Sequence, residues 1–246
     1  NYAAPIRVGG AGGIGTPAAG LAAFMMGADF ILTGSVNQGC LEADSSMHTK
    51  KLLAQAEMTD VMMAPAADMF ELGVKLQVLK RGTMFGVRAQ KLYEIYREYN
   101  SIEEIPAAER ARLEKQIFRT SMDDIWQGTV DFFTERDPEQ IHRAQADPHK
   151  KMALIFRWYL GLSSRWSNNG EKGRELDYQI WCGPAMGAFN QWVRGTYLED
   201  VQNRRVVDVA EHIMRGVAYL YRIRTLESQG LVLPVAMQHY RPEPLA

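Results

Sequence analysis

Apolar and polar positions along the chain fall into two regimes. Up to about Ser45, short apolar runs end in glycine, as in "PIRVGGA" and "DFILTGS". These read as two β-strands closed by tight turns. Between them lies "GTPAAGLAAFMMGA". Thr16 can cap a helix there, Pro17 suits its first turn and Gly27 can end it. Strand, short helix and strand make a parallel crossover unit.

After Ser45 the period lengthens. In "DMFELGVKLQVLKRGTMFGVRAQKLYEIYREY" the apolar residues Met69, Leu72, Leu76 and Leu79 stand three or four apart, as do Leu92, Ile95 and Tyr96 further on. This spacing predicts helix throughout. "SIEEIPAAERARLEKQIFR" opens with Ser101 and Glu104 in capping-box spacing, which predicts a helix start. "DPHKKMALIFRWYLGLSSRW" is aromatic and amphipathic, and "RRVVDVAEHIMRGVAYLYRIRTLESQG" is a long helix stopped at Gly230. The end, "LVLPVAMQHYRPEPLA", reads as a proline-containing tail. A two-stranded parallel sheet needs cover on both faces. Further strands are therefore expected from a preceding segment or from another chain, and the start at Asn1 without Met fits a processed chain or the back part of a longer one.

The formal net charge of −1 gives no reason to expect nucleic acid as a partner. No apolar run reaches the ~18 residues of a membrane span. Cys40 and Cys182 form neither a disulfide framework nor a Cys/His cluster. They read as small buried hydrophobes of a cytoplasmic protein, and no metal site is expected.

"VGGAGGIGTPAAG" contains Gly10, Gly12 and Gly15, a G-x-G-x-x-G. A dinucleotide fold would place an acid about 20 residues on, at the end of the second strand. Asp29 stands at the beginning of that strand, and its far end carries Thr33, Gly34 and Ser35. Two parallel strands would thus present "AGGIG" and "TGS" at one edge, where backbone N–H groups can hold a phosphate. (β/α)8 barrels build such a site from the loops after strands 7 and 8.

"AGGIGTPAAGLAAFMMGADFILTGS" resembles the last two barrel strands of the FMN-dependent nitronate monooxygenase and enoyl reductase superfamily. "APAADMFELGVKLQVLKRGTMF", "RWYLGLSSRW" and "DYQIWCGPAMGAFNQWV" resemble the PfaD-type enoyl reductases. These act in trans in polyunsaturated fatty acid synthases and in acyltransferase-less polyketide synthases. The likeness runs from about Ile6 to Gly230. It implies an α/β chain forming the C-terminal portion of a (β/α)8 barrel, with a large helical substrate lobe. The last two strands would occupy 1–50, the lobe 51–200, and the final barrel helix and tail 201–246. It implies FMN-mediated reduction by NADPH of a 2-enoyl thioester on an acyl carrier protein, in a cytoplasmic homodimer completed by the missing N-terminal barrel segment.

By position, Gly12, Gly13 and Ile14 carry over to the first phosphate loop, and Gly34 and Ser35 to the second, with the Ser35 hydroxyl as a donor. Asn37 and Gln38 follow that loop, and "GPAMG" resembles a small-residue helix start near the flavin. The resemblance names no general acid, because strands 1 to 6 carry it. Two other readings remain open: a nitronate monooxygenase-like flavoprotein, and a non-catalytic docking module for a carrier protein.

The remaining residues have ordinary readings. His48, His142, His149, His212 and His239 are scattered, and Asp147-Pro148 separates His142 from His149. Trp158, Tyr159 and Trp166 read as core, or as an acyl channel with Arg157 and Arg165 at its mouth. Lys80 and Arg81 read as a solvated face, or as contacts for an acidic carrier.

Overall fold

A computed structural model describes residues 4–245. Residues 1–3 of the expected barrel segment, and Ala246 of the tail, lie outside the described residues. The architecture is α/β, rich in helix and poor in strand. The chain divides into two compact units, 1–61 with 182–246, and 62–181. The second unit falls within the 51–200 expected for the helical lobe. In the first unit Asn190 Nδ2 donates to the carbonyls of Leu53 and Ala56, both at 2.8 Å.

In the first unit, β1 (Gly9–Ala11) pairs in parallel with β2 (Phe30–Leu32), in the register Gly9↔Phe30, Gly10↔Ile31 and Ala11↔Leu32. Between them runs α1 (Pro17–Met25). Thr16 accepts from Ala19 N–H, Pro17 starts the helix, and Gly27 at φ +98° follows its end, as the sequence predicts. Ile31 and Gly10 face α1, where a methyl group on Gly10 would stand 3.1 Å from Ala23 Cβ. The other face of the sheet presents Phe30 and Leu32 to solvent, beside exposed Ile6 and Val8. The strand-end residues Ser35–Gln38 form α2, and α3 follows at Met47–Ala54.

The second unit holds two strands that the sequence pattern does not predict, β3 (Val61–Pro65, all but its first residue) and β4 (Lys75–Leu79), paired with each other. Leu76 and Leu79 therefore lie on a strand rather than on the expected helix. Leu79 N–H donates to Ile180 O at 2.8 Å and Val78 bridges Trp181, so partners about a hundred residues away decide the conformation. Helices α4 (Phe85–Glu98) and α5 (Ala107–Leu113) follow. Ser101 and Glu104 do form cap-like bonds, since Glu104 N–H donates to Ser101 Oγ and Asn100 N–H to Glu104. They close a turn instead of opening a helix, because Pro106 disfavours helical backbone at Ile105, and α5 starts beyond it. Then come α6 (Met122–Arg136), α7 (Pro138–Ala146) and α8 (Pro148–Asn169). Asp147 breaks α7 from α8 and caps the latter through His149 N–H at 2.9 Å. The core of this unit gathers Phe70, Phe85, Leu92, Phe118, Phe156, Tyr159 and Leu160. Trp158 and Trp166 pack against it. Tyr159 and its neighbours are thus core, and Arg157 is turned to Glu71 at 3.7 Å.

The remaining elements of the first unit are α9 (Pro184–Val193) and α10 (Val206–Ser228). A methyl group on Gly20 of α1 would stand 2.8 Å from Val217 of α10, which shows how closely the two helices approach. The tail is tied down: Trp192 Nε1 donates to Tyr240 O at 3.0 Å, and Tyr219 Oη to Met237 O at 2.8 Å. No helix among the described residues is long and apolar enough to cross a membrane.

Candidate cofactor site

The ends of β1 and β2 lie side by side, so the turns that leave them share one edge. Gly12 and Gly13 both take left-handed backbone, at φ +83° and +73°. A side chain there would be strained, whereas glycine adopts it freely. Nothing stands within 4 Å of where a Cβ would be at Gly12, Gly13 or Gly34. Ile14 is buried and pins the first turn to the core. A Cβ on Gly15 would run into the carbonyl oxygen of Ala185, so the turn also lies flush against the start of α9.

Ser35 is held on the same structure. Its Oγ accepts from Gly183 N–H at 2.9 Å. The oxygen accepts this bond, and the hydroxyl hydrogen remains to be donated. Asn37 turns inward, with Thr33 Oγ1 donating to its Oδ1 at 2.8 Å and its Nδ2 donating to Thr33 O at 3.0 Å. Its amide is spent on shaping the turn. Gln38 O accepts from Ser45 Oγ at 3.4 Å.

A phosphate-bearing group such as FMN requires open space, N–H donors and no opposing carboxylate. Among the described residues, the N–H groups of Gly13, Ile14 and Gly34 donate to no backbone carbonyl. Asp29 stands at the opposite end of β2, where its carboxylate accepts from Val8 N–H at 2.8 Å. The turns therefore fit the phosphate, and the acid that a dinucleotide fold would need is at the wrong end.

Several other reactive groups are quiet. Burial pushes the Cys40 thiol up to about 11 and the Cys182 thiol up to about 12, so neither is a thiolate at neutral pH. His212 is buried between Tyr197 Oη at 2.9 Å and Tyr240 Oη at 2.8 Å, and His149 stacks on Tyr96 with ring centroids 4.0 Å apart. Among the buried charged groups that the sequence does not single out is Arg204, which carries no local motif and is recognisable only from its burial.

Residues 99–178 match the family model of the acyl-carrier-protein S-malonyltransferase, inserted helical domain. The chain is 51% identical over 228 residues, 91% of its length, to a polyunsaturated fatty acid synthase component of Thraustochytrium sp.. It is 50% identical over 223 residues, again 91% of its length, to the polyketide biosynthesis protein PksE of Bacillus subtilis. It spans 15% of the first relative and 29% of the second. Among solved structures, the enoyl reductase domain of MlnA, from the macrolactin biosynthesis cluster of Bacillus amyloliquefaciens, matches with a TM-score of 0.87 and 42% identity. That match covers 93% of this chain and 51% of the MlnA chain. Over nearly its whole length, the chain is thus similar to segments of polyunsaturated fatty acid synthase and polyketide biosynthesis proteins and to a solved enoyl reductase domain.

Proposed function

We propose that this chain supplies the last two strands, the final helix and a helical lobe of an FMN-dependent enoyl reductase. It would act with NADPH on 2-enoyl thioesters of an acyl carrier protein, in polyunsaturated fatty acid or polyketide biosynthesis. The observation that carries the reading is the pair of open glycine turns at one sheet edge, in a chain similar to the MlnA enoyl reductase domain. The exposed apolar face of β1 and β2 supports a barrel completed by further strands, since a parallel sheet is covered on both faces.

In this reading the backbone N–H groups of Gly12, Gly13, Ile14 and Gly34, with the N–H and hydroxyl of Ser35, hold the FMN phosphate. Bound FMN supplies the hydride chemistry between NADPH and the enoyl group. The chain's own contribution is rigidity. Ile14 anchors one turn, and the Gly183–Ser35 bond anchors the other. The helical unit, 62–181, would receive the carrier-bound substrate, with the exposed Lys80 and Arg81 facing an acidic carrier.

The test is the absorbance spectrum of the purified native protein, followed by NADPH consumption with a crotonyl thioester. A flavin spectrum and loss of NADPH only in the presence of the enoyl substrate are expected. Colourless protein, or flavin that oxidises NADPH equally fast without the thioester, would overturn the proposal.

A further inference from the structure

Arg204 is the largest wholly buried side chain among the described residues, 1% exposed. Its Nε donates to Leu198 O at 2.8 Å and its Nη2 to Glu199 O at 3.2 Å. Its Nη1 is buried without a partner. The guanidinium lies over the Phe189 ring at 5.1 Å, and no ion pair joins it to any carboxylate among the described residues. Asp200 and Glu199 favour its charge only through space: the Glu199 carboxylate accepts from Gly195 N–H, and that of Asp200 from Gln202 N–H. Nor does Cys40 neutralise it, since that thiol keeps its proton. Burial lowers the guanidinium only to about 10, so at neutral pH it is a buried, unpaired cation.

Such a charge is costly to bury, and its position suggests a use. Nη1 faces Gly39, where a Cβ would stand 3.7 Å from it. Gly39 closes α2, which begins at Ser35 of the second glycine turn. The Arg204 carbonyl also accepts from Leu41 N–H at 2.9 Å. A second largely buried cation, Lys50, donates to Leu41 O at 2.8 Å. Lys50 is offset by the Glu42 carboxylate, which accepts from Val206 N–H at 2.9 Å, so the more deeply buried Arg204 is the charge behind the segment that carries the turn.

We infer that Arg204 is a positioning residue, whose unpaired buried charge behind α2 gives the Gly34–Ser35 turn its preference for a dianionic phosphate. The inference rests on the assignment of the FMN phosphate to that turn. A field set up inside the protein is poorly screened by solvent and salt, so it reaches the turn without direct contact. Two carbonyl bonds alone would need only a neutral donor.

The experiment compares binding of FMN and of riboflavin, which lacks the phosphate, to the flavin-free native protein by fluorescence quenching. Wild type should prefer FMN. Arg204→Met should weaken FMN by about tenfold, the scale of one poorly screened charge interaction, and leave riboflavin within about twofold. Arg204→Lys keeps the charge but not the fork, and should keep most of the preference. If the Met variant fails to fold, the Lys variant decides: loss of its preference for FMN would show that the two carbonyl bonds, rather than the charge, matter. Equal weakening of both flavins in Arg204→Met would overturn the inference in the same way. A wild type with no preference for FMN would instead overturn the assignment of the phosphate to the turn.

Discussion

Gly183 N–H donates to Ser35 Oγ at 2.9 Å, joining residues 148 positions apart in sequence. The bond fixes the second glycine turn against the start of α9 and orients the Ser35 hydroxyl. Ser35→Ala leaves the Gly183 N–H without its acceptor, at a cost of about 1–2 kcal/mol in a partly buried setting. The melting temperature of the native protein should fall even without flavin. An unchanged apo melting temperature would mean that water replaces the serine.

The glycine turns are tested through charge. Gly13→Asp and Gly34→Asp place a carboxylate in the open space over each turn, and Gly13→Asp adds left-handed strain. Like-charge repulsion should abolish FMN retention on gel filtration, read as flavin absorbance per protein. Asp29→Asn is the control: its carboxylate meets Val8 at the opposite strand end, so flavin content should hardly change. Full flavin occupancy in both Asp variants would move the phosphate elsewhere.

Asp177 is the electrostatic centre of the second unit. It is wholly buried, with Arg88 and Tyr159 on Oδ1, and with Arg174 at 3.2 Å and Arg119 at 3.5 Å on Oδ2. Arg174 also donates to Ile117 O and Phe118 O, so the one carboxylate organises the arginine that closes the turn after α5. Asp177→Asn should cost about 3–5 kcal/mol, because three guanidinium groups lose their buried counter-charge. Tyr159→Phe should cost about 1 kcal/mol, the value of one hydrogen bond. Urea unfolding of the two variants should show this order; equal losses would mean that the ring, not the charge, matters.

Burial holds the pKa of His212 below its ordinary 6.5, against the pull of Asp208 and Glu211 and with the push of Arg215. As pH falls through 6.5 the unfolded chain takes up a proton before the native one does, so stability is lost between 6.5 and the lower native value. His212→Gln cannot titrate. Its melting temperature should drop less than that of wild type between about pH 7.5 and about pH 5.5, although it starts lower. Parallel curves would show that His212 is protonated equally in both states.

Lys80 and Arg81 are exposed on the second unit. Rim charges act mainly on association. Lys80→Glu with Arg81→Glu should raise KM for a carrier-bound enoyl substrate and leave turnover of a small enoyl thioester nearly unchanged. Equal losses on both substrates would indicate damage to the fold. No loss on either would place the carrier elsewhere, with exposed Arg165 and the Glu71-paired Arg157 as the next positions.

Local chemistry alone was enough for several elements. Thr16, Pro17 and Gly27 bound α1, Asp147-Pro148 parts α7 from α8, and Gly230 follows α10, because caps and breakers act within a turn of themselves. The same holds for the glycine turns after β1 and β2, where missing side chains are visible in the letters. Tertiary structure decided the rest. Met69 to Leu79 reads as helix by spacing, yet Val78 and Leu79 are strand because their hydrogen-bond partners, Trp181 and Ile180, lie about a hundred residues on. The Ser35–Gly183 bond, the arginines around Asp177 and the burial of Arg204 have no local signature either. Each depends on which distant segments exclude water together, and apolar spacing along one segment carries no record of that.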